Sequence, residues 1–378
     1  MISIYIITTA HPYNDVRVTH RLGHSFVESG FNVSWFGPEP PDKKQLHAGI
    51  NFIFFKNISR IDRYFAWFKL WKLLKSSPPA DIYFAVDPDS AIIANHFAGK
   101  FGRKSVFDIH EIFHRDMLYL YGLNKFWVKI IGLFIKKQIE VTCKKTSLVI
   151  GVGETRLKPY SEAIHNSMII RHCVPRNYAN EYLAEPMKTD NNEVLILQGK
   201  VSQHQGTLKM LLAAQMASEK LGRNIKIVLF KIFSKDLKYS YFNEFVTQHK
   251  LDSNYILMEP IPFNEMFQLM AKCDVGVISY QSEMGVECMP NRIFEYLSVG
   301  LPVIVPCYAV EMVKILETYN CGLTANMENV EDISSNLIRL ISNPNLSREM
   351  GLNGRMAFEK GCNWEEEVKG LLEWIQRN

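Results

Sequence analysis

No Cys-x-x-Cys pair occurs in this sequence; its seven cysteines, Cys143, Cys173, Cys273, Cys288, Cys307, Cys321 and Cys362, stand singly. That spacing excludes a zinc ribbon or a disulfide framework and predicts reduced thiols, as in a cytoplasmic protein. Long apolar runs are missing too. The best, 126–135, is about ten residues and is broken by Lys129, whereas a spanning helix needs roughly 20. No basic segment precedes the first apolar run, Ile2–Thr8, so a secretory leader is not expected. Low-complexity tracts and internal repeats are absent, and 47% of residues are hydrophobic against 22% charged, the balance of a folded chain.

What is present is enough chain for two domains: 378 residues exceed one ordinary core. Charge divides with them. Residues 1–190 hold 25 Lys and Arg against 17 Asp and Glu, and 191–378 hold 18 against 22. The basic first half suits an anionic partner. Nucleic acid is not expected, because the cations are spread along helices without a recognition motif.

Short β-rich apolar runs alternate with helical patterns, which predicts parallel sheets built from βαβ units. Strands are expected at Ile2–Thr8, Phe31–Phe36, Ile50–Phe55, Asp81–Val86, Ser105–Asp108, Ser147–Val152 and Ser167–Arg171. A second set follows at Glu193–Gln198, Ile225–Phe230, Tyr255–Met258, Val275–Ser279, Leu301–Val305 and Gly322–Thr324. Between the sets, Pro175, Pro186 and the polar run 188–192 read as a linker. The expected organisation is α/β: a doubly wound domain over 1–175, a linker over 176–192, a second doubly wound domain over 193–362, and helix only from 345 to the end. Ligands of such sheets sit beyond the carboxyl ends of the strands.

One constellation carries chemistry. Glu287 and Glu295 are separated by seven residues in Glu287-Cys-Met-Pro-Asn-Arg-Ile-Phe-Glu295. Pro290 suits a first helical turn. The N–H groups of Asn291 and Arg292 then face outward as an anion site, with the Arg292 charge beside them. Carboxylates flanking a phosphate can accept from sugar and ribose hydroxyls. By spacing alone the segment is equally a surface helix with two solvated glutamates.

The context resolves this. Pro290-Asn-Arg-Ile-Phe-Glu-Tyr-Leu-Ser-Val-Gly-Leu-Pro-Val-Ile304 resembles the donor-site segment of glycosyltransferase family 4, where Glu-x7-Glu is followed by Gly-x-Pro-Val and a buried strand. Asp15-Val-Arg17-Val resembles that family's first-helix signature, and Phe107-Asp-Ile-His-Glu111 its Asp-x-His-Glu/Asp motif. Asp274-Val-Gly-Val-Ile278 and Asn363-Trp-Glu365 resemble its later motifs, in the same order. The resemblance implies a GT-B fold, two Rossmann-like domains facing across a cleft, with a C-terminal helix over 363–378 returning to the N-terminal domain. It implies a retaining, metal-independent transfer of a hexose-type sugar from a nucleotide-diphospho-sugar to a glycan or lipid-linked acceptor, as in surface polysaccharide or glycoconjugate synthesis. No cofactor is implied.

Roles follow from the resemblance residue by residue. Glu295 is expected on the ribose, Glu287 on the transferred sugar, and His110 beside the reacting carbon. Pro290, Asn291, Arg292 and Lys200 are expected on the diphosphate, and Ile261, in Pro260–Pro262, near the base. His11, Asp15, Arg17 and Glu111 are acceptor-side candidates. Asp87-Pro-Asp89 invites a metal reading, but Asp at a helix start is a routine cap. Two departures stand out. The family's Gly-Arg followed by Lys-Gly is here Gly199-Lys200 followed by Gln205-Gly206, and Phe230-Lys-Ile-Phe233 replaces a glycine-rich turn. Lys200 is a point charge where Arg would bind bidentately, so Lys231 is the candidate to help rebuild the phosphate clamp. These departures keep a catalytically silent sugar- or partner-binding subunit open, beside a sugar-nucleotide 2-epimerase.

Two helices, 60–75 and 125–145, mix aromatics with lysines and arginines. Each is a candidate for docking on an anionic membrane surface from the cytoplasmic side, or else packs as an ordinary amphipathic helix.

Overall fold

A computed structural model describes residues 1–40, 48–56, 65–110, 125–179, 181–184 and 193–378, without the side chains of 125–129, 264, 283 and 284. The chain forms two units: Met1–Arg171 with Glu367–Asn378, and His172–Glu366. Unit 1 holds a seven-stranded sheet of β1 (Ser3–Ile7), β2 (Asn32–Pro38), β3 (Ile50–Phe55), β4 (Ile82–Ala85), β5 (Lys104–Ile109), β6 (Leu148–Gly151) and β7 (Ser167–Ile169). Unit 2 holds a six-stranded sheet of β8 (Glu193–Val201), β9 (Asn224–Phe233), β10 (Tyr255–Met258), β11 (Val275–Val277), β12 (Val303–Pro306) and β13 (Gly322–Ala325). Every strand pairing is parallel. All thirteen expected strands are present; boundaries shift by a few residues.

The orders are β3-β2-β1-β4-β5-β6-β7 and β10-β9-β8-β11-β12-β13. In each sheet the chain builds outward from one central strand, then returns to its other side. The order reverses between β1 and β4, and again between β8 and β11. Those are the switch points where crevices open beyond the carboxyl ends. The strands are apolar because helices cover both faces of a parallel sheet; β4 and β12 are buried at every residue. An Asp precedes each returning strand and secures its neighbour. Asp81 accepts from the Ser3 N–H at 2.9 Å, and Asp274 from the Leu195 N–H at 2.8 Å.

Three readings gain detail. The first-helix segment after Asp15 begins as a wide turn over Val16–Gly23, in which the His20 N–H reaches the Asp15 carbonyl at 3.1 Å, before an α-helix over His24–Glu28. The described part of the expected linker is docked on unit 2: Arg176–Ala179 is helical, Ala179 is core, and the Ala184 N–H reaches the Val299 carbonyl. The tail is two helices, Pro344–Lys360 and Trp364–Arg377, broken at 361–363, where Asn363 bridges Val174. Most of the second helix belongs to unit 1. There Glu367 accepts from the Arg171 N–H at 2.8 Å and its Nε at 2.7 Å, and Leu371 and Ile375 are buried.

Candidate functional site

At the switch point of unit 2 lies a cavity of about 380 Å³. It is lined from the ends of β8 (Gln198, Lys200), β9 (Phe230, Ile232) and β11 (Val277–Tyr280), by Pro260 and Ile261 after β10, and by Pro290, Asn291, Arg292 and Glu295. Pro290 is the extended residue before a helix over Asn291–Ser298, so the N–H groups at its start belong to Asn291 and Arg292, while that of Ile293 turns back to the Pro290 carbonyl. Glu295 lies one turn in, buried, and takes the Arg292 Nε at 3.0 Å. A guanidinium, a lysine, a helix start and a carboxylate thus share one cavity.

A bulge aims this corner. The pairing of β8 with β9 slips between Leu197 and Gly199, which bends the strand beside the cavity. Gly199 takes φ +113°, and a Cβ there would lie 3.6 Å from the Arg292 guanidinium. Gly206, at φ +63°, opens the helix Thr207–Leu221; its Cβ would meet the Ser279 carbonyl at 2.5 Å. Only glycine fits both demands. Gln198 Nε2 binds the Gln205 carbonyl, the Thr207 hydroxyl and the Ser279 hydroxyl, closing the loop. Gln205, at the family's lysine position, lines the cavity and donates to the Tyr280 hydroxyl at 3.2 Å. Burial pushes the Tyr280 phenol well up, so it stays neutral.

Lys231 is a correction. β9 runs on through Phe233, and side chains alternate along it. Phe230 and Ile232 face the cavity, while Lys231 turns away to pair with Glu259. Glu287 lies in the half-buried loop before the helix and is not among the lining residues.

Unit 1 gathers a second cluster beyond β1, β4 and β5. Arg17 is buried and grips Asp108 with Nε at 2.7 Å and Nη2 at 2.9 Å, and its Nη1 binds the Ile170 carbonyl. It is a positioning residue, which corrects its acceptor-side reading. Burial alone would raise the Asp108 carboxyl, but Arg17 and His110 hold it far below its usual range. His110 Nδ1 lies 3.5 Å from the Asp108 carboxylate, and its ring is 4.9 Å from that of His11. His11 lies between Asp87, at 3.3 Å, and Asp15, at 3.7 Å. Burial would lower its pKa, yet bonds to Asp15 and Asp87 raise it to about 10, so the imidazolium is kept at neutral pH. Asp87 stands at the start of the helix Pro88–Phe101; its carboxylate takes the Thr8 hydroxyl at 2.6 Å and the Thr9 N–H at 2.8 Å. Burial and the Asp87 charge push Asp89 up to about 6. Glu111 lies outside the described residues.

The sequence reading brought Lys200, Pro290, Asn291, Arg292, Glu295 and Ile261 to one cavity. It missed Gln198, Tyr280, Thr8 and Thr9. All four stand at or just beyond carboxyl ends of strands beside a switch point, a position that could have found them.

Residues 180–357 match the model of the family described as glycosyl transferases group 1. An uncharacterized glycosyltransferase of Methanocaldococcus jannaschii is 29% identical over 143 residues, 38% of this chain and 38% of that protein. Sucrose-phosphate synthase from Thermosynechococcus elongatus superposes with a TM-score of 0.74 at 14% identity, covering 100% of this chain and 99% of that one. Anabaena HepE in complex with UDP gives 0.74 at 13% identity, covering all of both chains. The structural likenesses show the GT-B fold, and residues 180–357 resemble the group 1 glycosyltransferases.

Proposed function

We propose that the chain transfers a hexose-type sugar, with retention, from a nucleotide-diphospho-sugar bound in the unit 2 cavity to a glycan or lipid-linked acceptor. One observation supports this most: Lys200, Arg292, the start of helix 291–298 and Glu295 line the same cavity. A diphosphate at the helix start meets oriented N–H groups and two cations, which offset the charge that grows as it leaves. Glu295 accepts from ribose hydroxyls, and the backbone around Pro260 and Ile261 takes the base. In the reaction the sugar C1–O bond to phosphate breaks and the acceptor oxygen bonds to C1. The acceptor proton passes to the departing phosphate oxygen. We assign Glu287 to the transferred sugar. Because cations and N–H groups do the electrostatic work, no metal is required in this scheme.

HepE has been crystallised with UDP-glucose, so UDP-hexoses are the first donors to try. A panel of UDP- and GDP-sugars, each with and without EDTA, is the test. Release of UDP or GDP with glycoside formed and EDTA without effect is expected. Loss with chelator, restored by manganese, would overturn the metal-free scheme. Gln205 in place of a lysine supports a second reading, a subunit that binds nucleotide-sugar without transferring it. Tight binding with no turnover on any acceptor would favour it, and an epimerised donor would point to the third.

A further inference from the structure

We propose that one helical layer of unit 1 is a docking face for an anionic lipid surface. Three helices lie side by side on one face of the sheet: Ala66–Ser76, Pro88–Phe101 and Lys125–Cys143. Trp71 of the first packs on Phe97 of the second at 5.1 Å, and Asn95 of the second binds the Thr142 carbonyl of the third. Their inner residues, among them Leu70, Leu74, Ala94, Phe97 and Ile139, are core. Amphipathic packing is therefore already satisfied by the inner stripe, yet the outer surface is apolar as well.

Unit 1 exposes eleven large apolar side chains among its described residues; apart from Met1 and Val16, the other nine belong to this layer. Phe65, Trp67 and Phe68 stand at the start of the first helix, and Ile92 and Phe101 on the second. The third carries Ile130, Leu133, Phe134 and Val141 at helical spacing on its outer side. Exposure runs from 36% at Phe101 to 65% at Phe134. Lysines are interleaved and exposed: Lys72, Lys75, Lys100, Lys137, Lys144 and Lys145. The layer's described acids are two and both are engaged: Glu140, half-buried, with Lys137 at 3.3 Å, and Asp89, exposed at the start of the second helix, with the Thr9 hydroxyl at 2.8 Å.

The composition selects lipid over protein. Protein interface cores are depleted in lysine, whereas at a membrane surface apolar side chains enter the acyl boundary and lysines extend to the phosphates. Six exposed lysines against one exposed acid, Asp89, leave the face strongly positive, which fits an anionic headgroup layer. The described part of the first segment singled out in the sequence, 65–75, and the second, 125–145, are thus parts of one face, with Pro88–Phe101 between them, and residues 60–64 lie outside the described residues. Docking extends the acceptor side of the proposed function, because it would bring the chain to a lipid-linked acceptor.

Co-sedimentation of the whole chain with phosphatidylcholine vesicles, with and without phosphatidylglycerol, tests it without any transfer reaction. Failure here leaves the nucleotide-sugar assay standing, and the reverse. Pelleting is expected with phosphatidylglycerol and weakly without it. Each lysine removed should weaken partition about fivefold, so Lys72→Gln, Lys75→Gln and Lys145→Gln together should weaken it on the order of a hundredfold. Leu133→Ser with Phe134→Ser, and Trp67→Ser with Phe68→Ser, should each lower pelleting while circular dichroism and UDP affinity stay unchanged. Equal binding to both vesicles, variants that pellet like the parent, or no pelleting at all would overturn the proposal. So would a concentration-dependent dimer in sedimentation velocity that Leu133→Ser with Phe134→Ser dissociates, since that assigns the face to a second copy.

Discussion

Asp108 has no exposed surface, and its charge is held by the two-pronged grip of Arg17. A buried ion stripped of its partner is costly, so Arg17→Met should lower the unfolding free energy by about 3–5 kcal/mol. Adding Asp108→Asn should recover part of that loss; urea titration of the three proteins checks it. His11 gives stability a pH dependence of known sign. Its folded pKa, about 10, lies above the unfolded value near 6.5. Its contribution is therefore complete below pH 6.5 and is lost as pH rises through about 10. Urea midpoints should fall across that window, and less steeply in His11→Asn. In the cavity, Glu295→Ala removes a charged acceptor worth roughly 1.5–3 kcal/mol. Nucleotide-sugar affinity by calorimetry should drop about ten- to hundredfold, and a change under twofold would sink the ribose assignment. The type and spacing of Glu295, Asn291 and Arg292 were legible, because a helix start and its second turn are local in sequence. That Arg17 would be enclosed by Asp108 and Ile170 was not, since those partners are 91 and 153 residues away.

Among elements, the thirteen strands were readable because parallel strands buried on both faces are near-continuous apolar runs bounded by polar turns. What the sequence concealed were departures from regularity: the wide turn after Asp15, the slip at Gly199 and the length of β9. Each is decided by a neighbouring element. The strand running through Phe233 sets the alternation that turns Lys231 away from the cavity. Gly206 marks the closest approach of two elements, its helix start against the Ser279 carbonyl. Gly206→Ala combines a positive φ with that clash and should cost at least about 1 kcal/mol. It should also shift Gln205 off Tyr280. Thermal midpoint and UDP affinity should both fall; unchanged values would show the loop to be pliant.

Across the whole molecule, the chain's last twelve residues return to the unit that its first residues build. Val368, Leu371 and Ile375 are buried, and Glu367 ties the Arg171 backbone and side chain. Each apolar side chain buried stabilises by about 1.5–3 kcal/mol. A chain ending at Glu366 should show an unfolding transition for unit 1 at lower temperature, with unit 2 little changed, by calorimetry. One merged transition lowered throughout would mean instead that the units unfold together.

Local pattern determined the class of this protein: period and run length specify strands, Pro290 and the residues after it specify a helix start, and the motif order carries the family resemblance. Tertiary structure decided which of those residues share a cavity. Lys200 at the end of β8, Ile261 after β10 and Glu295 in helix 291–298 come from separate βα units, and only the reversal of strand order beside β8 brings them together. It also decided which apolar residues face inward. Helical spacing alone cannot distinguish the buried stripe of 125–143 from its exposed one, because both are apolar, and only packing against the sheet separates Ile139 from Phe134.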